Sequence, residues 1–239
     1  MAEFEKPQYA DCDVIVAKRT DQAKMWDGFP VAGVPPFGVA GYFNDFQSWV
    51  SDEWTVTEVG TSLQKLNDEE NGVLALISGG TEDNGNNCQL GGSGDDEALG
   101  ESFLPEAGRT IWFEAKIKSN DVTQNDIFVG LAIQDTTVLA SNPANMVGFI
   151  THDGDALLDF FHNGSIEESV HTLVDDTFVT VGFKLVGTDY CEAYVDGVKV
   201  ATVTTDLPAT AMKLTMAHLT GEGAANTLEL DYIACYQTR

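Results

Sequence analysis

Leu228-Glu229-Leu230-Asp231-Tyr232-Ile233-Ala234-Cys235-Tyr236-Gln237, close to the C-terminal end, reads as a closing β-strand. Leu228, Leu230 and Tyr232 alternate with Glu229 and Asp231, the period of two expected of a strand with one buried and one solvated face. The pattern recurs upstream, where Ile111, Phe113, Ala115 and Ile117 alternate with Trp112, Glu114, Lys116 and Lys118. Further strand candidates are 73–77, 127–134, 147–151, 156–161, 178–186, 191–195, 198–204 and 212–218. Asp153-Gly154, Asn163-Gly164 and Asp196-Gly197 lie between apolar runs, and such dipeptides accept the positive φ angles of a type I′ hairpin turn. After residue 42 no helical period lasts three turns. Many short strands with regular turns predict an all-β, two-sheet antiparallel jelly-roll sandwich, with less than about a tenth of the residues in helix.

Residues 1–41 read differently, as an extended N-terminal arm ahead of a sandwich over 42–239. Val31-Ala32-Gly33-Val34-Pro35-Pro36-Phe37-Gly38 cannot be helical, because paired prolines remove donors and clash with the preceding turn. Such a stretch has no core of its own. Val31, Val34, Pro35, Pro36 and Phe37 are therefore the candidate partner-binding residues, suited to lying along another chain or adding a strand to its sheet edge.

The charge is lopsided: 12 basic against 38 acidic side chains among 239 residues, a net −26. Residues 1–40 hold four basic and six acidic side chains, which leaves −24 for the rest. That field repels nucleic acid and anionic membrane, so neither is an expected partner. Met1 to Met25 is interrupted by charge and does not resemble a secretory signal. No run approaches the roughly 18 apolar residues of a membrane helix. Cys12, Cys88, Cys191 and Cys235 have no close spacing, which predicts free, partly buried thiols rather than a zinc site.

The closing strand resembles the terminal strand of concanavalin A-like (laminarinase-like) β-sandwiches, which end in an apolar residue, Asp-Tyr, a short alternation and Tyr-Gln. The resemblance covers roughly 42–239. It includes Phe43-Asn44-Asp45-Phe46 at the opening, and Phe183-Lys184-Leu185 leading to Ala193-Tyr194-Val195-Asp196-Gly197. It implies the fold and leaves function open, since such sandwiches host enzymes, lectins and capsid proteins. Glycosidases of that family carry two Glu and an Asp on one strand, at i, i+2 and i+4 or i+5. No segment here has that pattern, so no catalytic residue is assigned and the chain is expected not to be an enzyme.

Glu229 and Asp231, two apart on a strand, fall within the carboxylate spacing of an inverting glycosidase, yet an exposed acidic face explains them as well. Glu192, Tyr194 and Asp196 read the same way. The loop 79–87 and the following 91–97 are rich in oxygen ligands, making Glu82, Asp83, Asp95 and Asp96 weak calcium candidates without an EF-hand order. No other cofactor is expected. His152 and His162 flank hairpin turns, while His171 and His218 stand apart. No Gly-x-Ser-x-Gly elbow or phosphate loop is present. Trp26, Trp49, Trp54 and Trp112 suit either a sugar-stacking platform or core packing, and Phe160-Phe161 puts one ring on each face of its strand.

The resemblance, the arm and the acidity together lead to one expectation. The chain is a non-enzymatic virion structural protein of a tailed bacteriophage, made in the host cytoplasm. It decorates or cements the capsid through its arm, with the acidic sandwich outward. The major capsid protein or other virion proteins are its expected partners, and a homo-oligomer is expected on that reading. The alternative is a carbohydrate-binding, lectin-like module that takes surface glycans.

Overall fold

Two of the three dipeptide turns reverse the chain as their sequences require. Asn163-Gly164 and Asp196-Gly197 hold positive φ at both positions, 49° and 91° in the first and 48° and 74° in the second. Each joins adjacent antiparallel strands through a two-residue hairpin. Asp153-Gly154 does not, because it lies in a five-residue connection whose Gly154 N–H is held by Thr123 O. The computed structural model describes residues 25–29, 38–91 and 103–239.

Fifteen strands are present among the described residues: β1 (Val39–Asn44), β2 (Trp54–Val59), β3 (Leu63–Asn67), β4 (Val73–Ile77), β5 (Gly85–Leu90), β6 (Thr110–Ser119), β7 (Asn125–Ala132), β8 (Met146–Thr151), β9 (Leu157–His162), β10 (Ser165–Thr172), β11 (Val179–Val186), β12 (Tyr190–Val195), β13 (Val198–Val203), β14 (Lys213–Thr220) and β15 (Thr227–Thr238). Sheet A has eight strands in the order β13-β12-β11-β6-β15-β4-β3, with β1 also paired to β15. Sheet B has seven, in the order β10-β9-β8-β7-β14-β5-β2. All pairings between these strands are antiparallel, and helix accounts for 4% of the chain, within the expected tenth.

The sheets pack face to face through the alternating residues. Ile111, Phe113, Ala115 and Ile117 of β6 and Val179, Val181, Phe183 and Leu185 of β11 meet Ile127, Val129 and Leu131 of β7 and Phe149 of β8. Phe160 of β9 bridges the layers, with its ring centroid 6.2 Å from Phe183 and 5.2 Å from Phe149. Cys88, Cys191 and Cys235 are free thiols in this core, and burial pushes each well above the ordinary thiol pKa.

The closing strand departs from simple alternation. β15 pairs with β6 through a bulge between Leu230 and Tyr232, so the extra residue shifts the remainder by one. Leu228 and Leu230 face the core, as do Ile233 and Cys235 beyond the bulge. Tyr232, expected on the buried face with Leu228 and Leu230, instead turns outward to meet Glu114.

Five strands lie outside the sequence-based set: β1, β2, β3, β5 and β10. The first half of β5, Gly85-Asn86-Asn87, was part of the expected oxygen-rich loop. Its composition suggests a loop, yet its amides are spent on bonds to other segments of the sandwich. Asn86 Nδ2 donates to Ile77 O, and Gln64 Nε2 donates to Asn86 Oδ1. β1 begins at Val39 and so crosses the expected arm boundary at residue 41. Earlier still, Met25 is 1% exposed with its sulfur over Gly182 of β11, where a Cβ would stand 2.5 Å from it. Val31, Val34, Pro35, Pro36 and Phe37 lie outside the described residues.

Candidate functional site

Each sheet presents an outward face, and the two differ in chemistry. On sheet A the closing-strand carboxylates Glu229 and Asp231 are each met by a lysine. Lys118 Nζ lies 2.5 Å from Glu229 Oε2, while Asn67 Nδ2 donates to Oε1 at 2.8 Å. Lys116 Nζ bonds Asp231 Oδ2 at 2.5 Å. The hydrogen bond and charge of Glu229 raise the Lys118 pKa. Both lysines also stand over the Phe178 ring, 5.0 and 4.7 Å from its centroid. The residues expected to share a face do so, but as ion pairs rather than as two carboxylates flanking open space.

Glu192 is held similarly, accepting from Lys199 Nζ at 3.0 Å and from Tyr194 OH at 2.9 Å. Burial works to raise its pKa, but those two bonds outweigh it and hold the carboxyl below its ordinary value. Burial, with Glu192 beside it, pushes the Tyr194 hydroxyl up. Asp196 is spent on its turn, where Oδ1 accepts the Thr180 N–H.

Glu114, which the sequence did not single out, is the hub of this face. It is 8% exposed, accepts Tyr232 OH at 2.7 Å on one oxygen and Trp26 Nε1 at 3.0 Å on the other. Trp26 and Phe29 then pack edge-on against Tyr236, and Phe29 against Trp112, with centroids 5.3–6.1 Å apart. Met25–Phe29 thus forms a short strap across sheet A. Trp54 and Trp112 are each 1% exposed, and Trp49 stacks on Trp54 at 5.7 Å. The tryptophans pack rather than form an exposed platform.

The outward face of sheet B is apolar at its centre. Phe128, Ala132, Met146, Ile150, Phe161 and Ala217 form a second buried cluster, capped by Val138 and Leu139 of the short helix α1 (Val138–Ser141). Phe160 and Phe161 divide between the two clusters, as their alternation requires. Gly130 and Gly148 sit opposite each other on β7 and β8, and a side chain at either would collide with the facing backbone and the Phe128 ring. The glycine pair makes room for that ring beneath α1.

Two amides on β5 bracket the loop that carries α1. Gln89 Nε2 donates to Ile133 O, its Oε1 accepts the Asp135 N–H, and Asn87 Nδ2 donates to Asp135 O, all at 2.8–2.9 Å. Asp135 in turn accepts from Thr137 N and Ser141 Oγ. The sequence signal for this bracket was two amides at i and i+2 within an otherwise strand-length segment. A recess of about 260 Å³ lies between α1 and the sheet, lined by Val59, Asp83, Asn86, Asn87, residues 136–140, Ala217 and Leu219.

Glu82 and Asp83 are exposed on the turn before β5, and Asp95 and Asp96 fall outside the described residues. Among the described residues no group of three or more His, Cys, Asp or Glu side chains is arranged to hold a metal. Asp126 has its pKa raised by burial, with Asp153 and Asp83 adding repulsion, while its carboxylate accepts the Asp153 N–H. His152 precedes β9 and His162 ends it, so the two lie at opposite ends of that strand. His162 is bonded to Asp206 O through Nδ1. His218 is fully buried against Asn125, and burial holds its pKa down at about 3. No helix among the described residues is long and apolar enough to cross a membrane.

No protein-family model matches the chain, and no curated protein matches it. Solved structures do resemble it. A protein of unknown function from Shewanella oneidensis aligns with a TM-score of 0.58 at 13% identity, over 100% of this chain and 96% of that one. A Bacillus licheniformis β-glucanase gives 0.53 at 16% identity, over 83% and 98%. Peanut lectin gives 0.54 at 11% identity, over 84% and 97%. At such identities the likeness shows the fold, a concanavalin A-like jelly-roll sandwich.

Proposed function

We propose that this chain is a non-enzymatic structural protein of a bacteriophage virion, one that decorates or cements the capsid through its N-terminal segment and presents an acidic sandwich outward. The observation that carries the non-enzymatic part is the state of the strand-borne carboxylates. Glu229, Asp231 and Glu192 are tied to lysines, Glu114 is tied to Trp26 and Tyr232, and the centre of sheet B is filled with apolar side chains. Glycoside hydrolysis needs an acid and a base or nucleophile free to face one bond. These groups face cations and hydroxyls instead.

The structural role is supported by charge and by the strap. A net −24 beyond residue 40 disfavours packing against encapsidated nucleic acid, which supports an exterior position for the sandwich. Met25–Phe29 anchors on the outward face of sheet A, which supports an attachment role for the N-terminal segment. The lectin-like alternative draws on the shared fold, while the packed tryptophans offer it no stacking surface.

Two measurements test the proposal. The protein should sediment with assembled particles and be lost from them when residues 1–24 are removed. A protein found wholly in the free soluble pool overturns the structural role. Mixed β-glucans and agar-type polysaccharides should remain intact. Release of reducing sugar that Glu229→Gln or Asp231→Asn abolishes would restore the enzyme reading.

A further inference from the structure

Three Asn-Gly pairs occur in the chain: Asn71-Gly72, Asn84-Gly85 and Asn163-Gly164. Such a pair is a latent reaction centre. The main-chain nitrogen of the glycine can attack Cγ of the asparagine carboxamide, because no Cβ on the second residue hinders the approach. The attack needs an unrestrained carboxamide and a glycine N–H that can leave its hydrogen bond. The fold treats the three pairs differently.

Asn163-Gly164 is held. Asn163 Oδ1 accepts the Asn145 N–H at 2.8 Å, and the Asn163 N–H donates to Met146 O at 2.7 Å. The pair forms the two-residue turn between β9 and β10, where Ser165 stands opposite His162. Asn84-Gly85 is held more firmly. The Asn84 carboxamide is wedged between Gly60 and Gly79, where a Cβ would stand 2.2 Å and 2.6 Å from it. Its N–H donates to Thr81 O, and its C=O accepts the Thr220 N–H. Gly85 opens β5, paired with Val59 on one side and Leu219 on the other.

Asn71 has none of these restraints. It is exposed in the turn from β3 to β4, at φ 70°, and among the described residues its carboxamide has no hydrogen-bond partner. The Gly72 N–H donates to Glu69 O at 3.4 Å, longer than an ordinary main-chain bond. We propose that Asn71 is a self-modification site that deamidates through a cyclic imide formed with Gly72, while the fold protects Asn84 and Asn163. Gly72 N bonds to Asn71 Cγ and gives its proton to hydroxide. The Cγ–Nδ2 bond breaks, and the leaving nitrogen takes a proton from water and departs as ammonia. Water then opens the imide at one carbonyl or the other, giving aspartate or isoaspartate at position 71.

Either product adds a negative charge beside Asp68, Glu69 and Glu70. Isoaspartate also lengthens the main chain by one methylene ahead of Gly72. That glycine packs so closely on Phe46 that a Cβ would stand 2.3 Å from the Phe46 carbonyl oxygen. β3 ends the strand order of sheet A, so the lengthened turn loosens an edge and leaves the centre intact.

The test is peptide mapping by mass spectrometry on the freshly purified full chain, incubated at neutral pH and at mildly alkaline pH. Chromatography separates the aspartyl and isoaspartyl products. Asn71 should convert at least about tenfold faster than Asn84 or Asn163, because a protected pair must first open locally. Its rate should rise in proportion to hydroxide concentration. In concentrated urea the three rates should converge. The isoaspartyl fraction should melt a few degrees below the unmodified protein. The proposal fails if Asn84 or Asn163 converts as fast as Asn71 in the folded chain. It fails equally if Asn71 stays intact while the same pair converts in a synthetic peptide of residues 66–76. A ranking that persists in urea would assign the difference to sequence and overturn the protective role of the fold. Equal melting of the two fractions would overturn the edge effect.

Discussion

His218 makes the fold acid-labile in a way that can be measured against a single substitution. The side chain sits on β14, fully buried, with Nε2 3.0 Å from Asn125 Oδ1. Asn125 Nδ2 donates to Ser119 Oγ at 2.5 Å, which turns its Oδ1 toward the imidazole. Nε2 therefore carries the proton, and Nδ1 is left bare and without a partner. A second proton would be a buried charge with no acceptor, and burial holds the folded pKa at about 3 against an ordinary 6.5. The folded value is the lower one, so below the ordinary pKa the unfolded chain binds the extra proton. Stability is then complete above about pH 6.5 and falls as pH drops towards 3, by about 1.4 kcal/mol per unit.

Urea denaturation near pH 7 and again at about pH 4.5, for wild type and His218→Gln, isolates this contribution, because carboxylate titration is common to both and cancels. Over that interval the wild type should lose about 3 kcal/mol more than the variant. Equal losses refute the reasoning. A direct check needs no variant: the His218 ring resonances should show no titration between pH 7 and about 4.

Gly148→Val should cost about 2–4 kcal/mol by chemical denaturation, since its side chain would meet the Val129 carbonyl and the Phe128 ring that supports α1. Met25→Ala should lower stability by about 1–2 kcal/mol, less than a typical core truncation, because the strap can undock while the sandwich persists. Red-shifted tryptophan emission with unchanged far-ultraviolet circular dichroism would report that undocking. The raised Lys118 pKa implies stability that is present below its ordinary value near 10.4 and is lost as pH rises through the folded value. Glu229→Gln should remove that alkaline loss, as read from melting temperatures between neutral and strongly alkaline pH.

Much of the fold was legible because the core writes itself as alternation. β6 and β11 each place four apolar residues two apart, and Asn163-Gly164 and Asp196-Gly197 carry the φ preference of their turns. β5 and β10 were not legible for the same reason reversed. Asn86, Asn87 and Gln89 are buried amides whose partners lie 9 to 48 residues away in sequence, at Ile77, Ile133 and Asp135. In β10, Ser165–Thr172 is mostly exposed or half-buried, so no apolar face marks it.

The closing strand holds the division most sharply. Its residues alone determined that it is a strand, because Leu228, Leu230, Ile233 and Cys235 must leave water. They did not determine the bulge at Asp231, since a one-residue slip depends on which strand it pairs with. That slip sends Tyr232 outward to Glu114 and sets Asp231 against Lys116, turning an acidic stripe into ion pairs. Charge and composition were local facts, readable from the chain itself. Which carboxylate meets which lysine, and which face of sheet B closes under α1, were decided by contacts between residues distant in sequence, and only the tertiary structure supplies those.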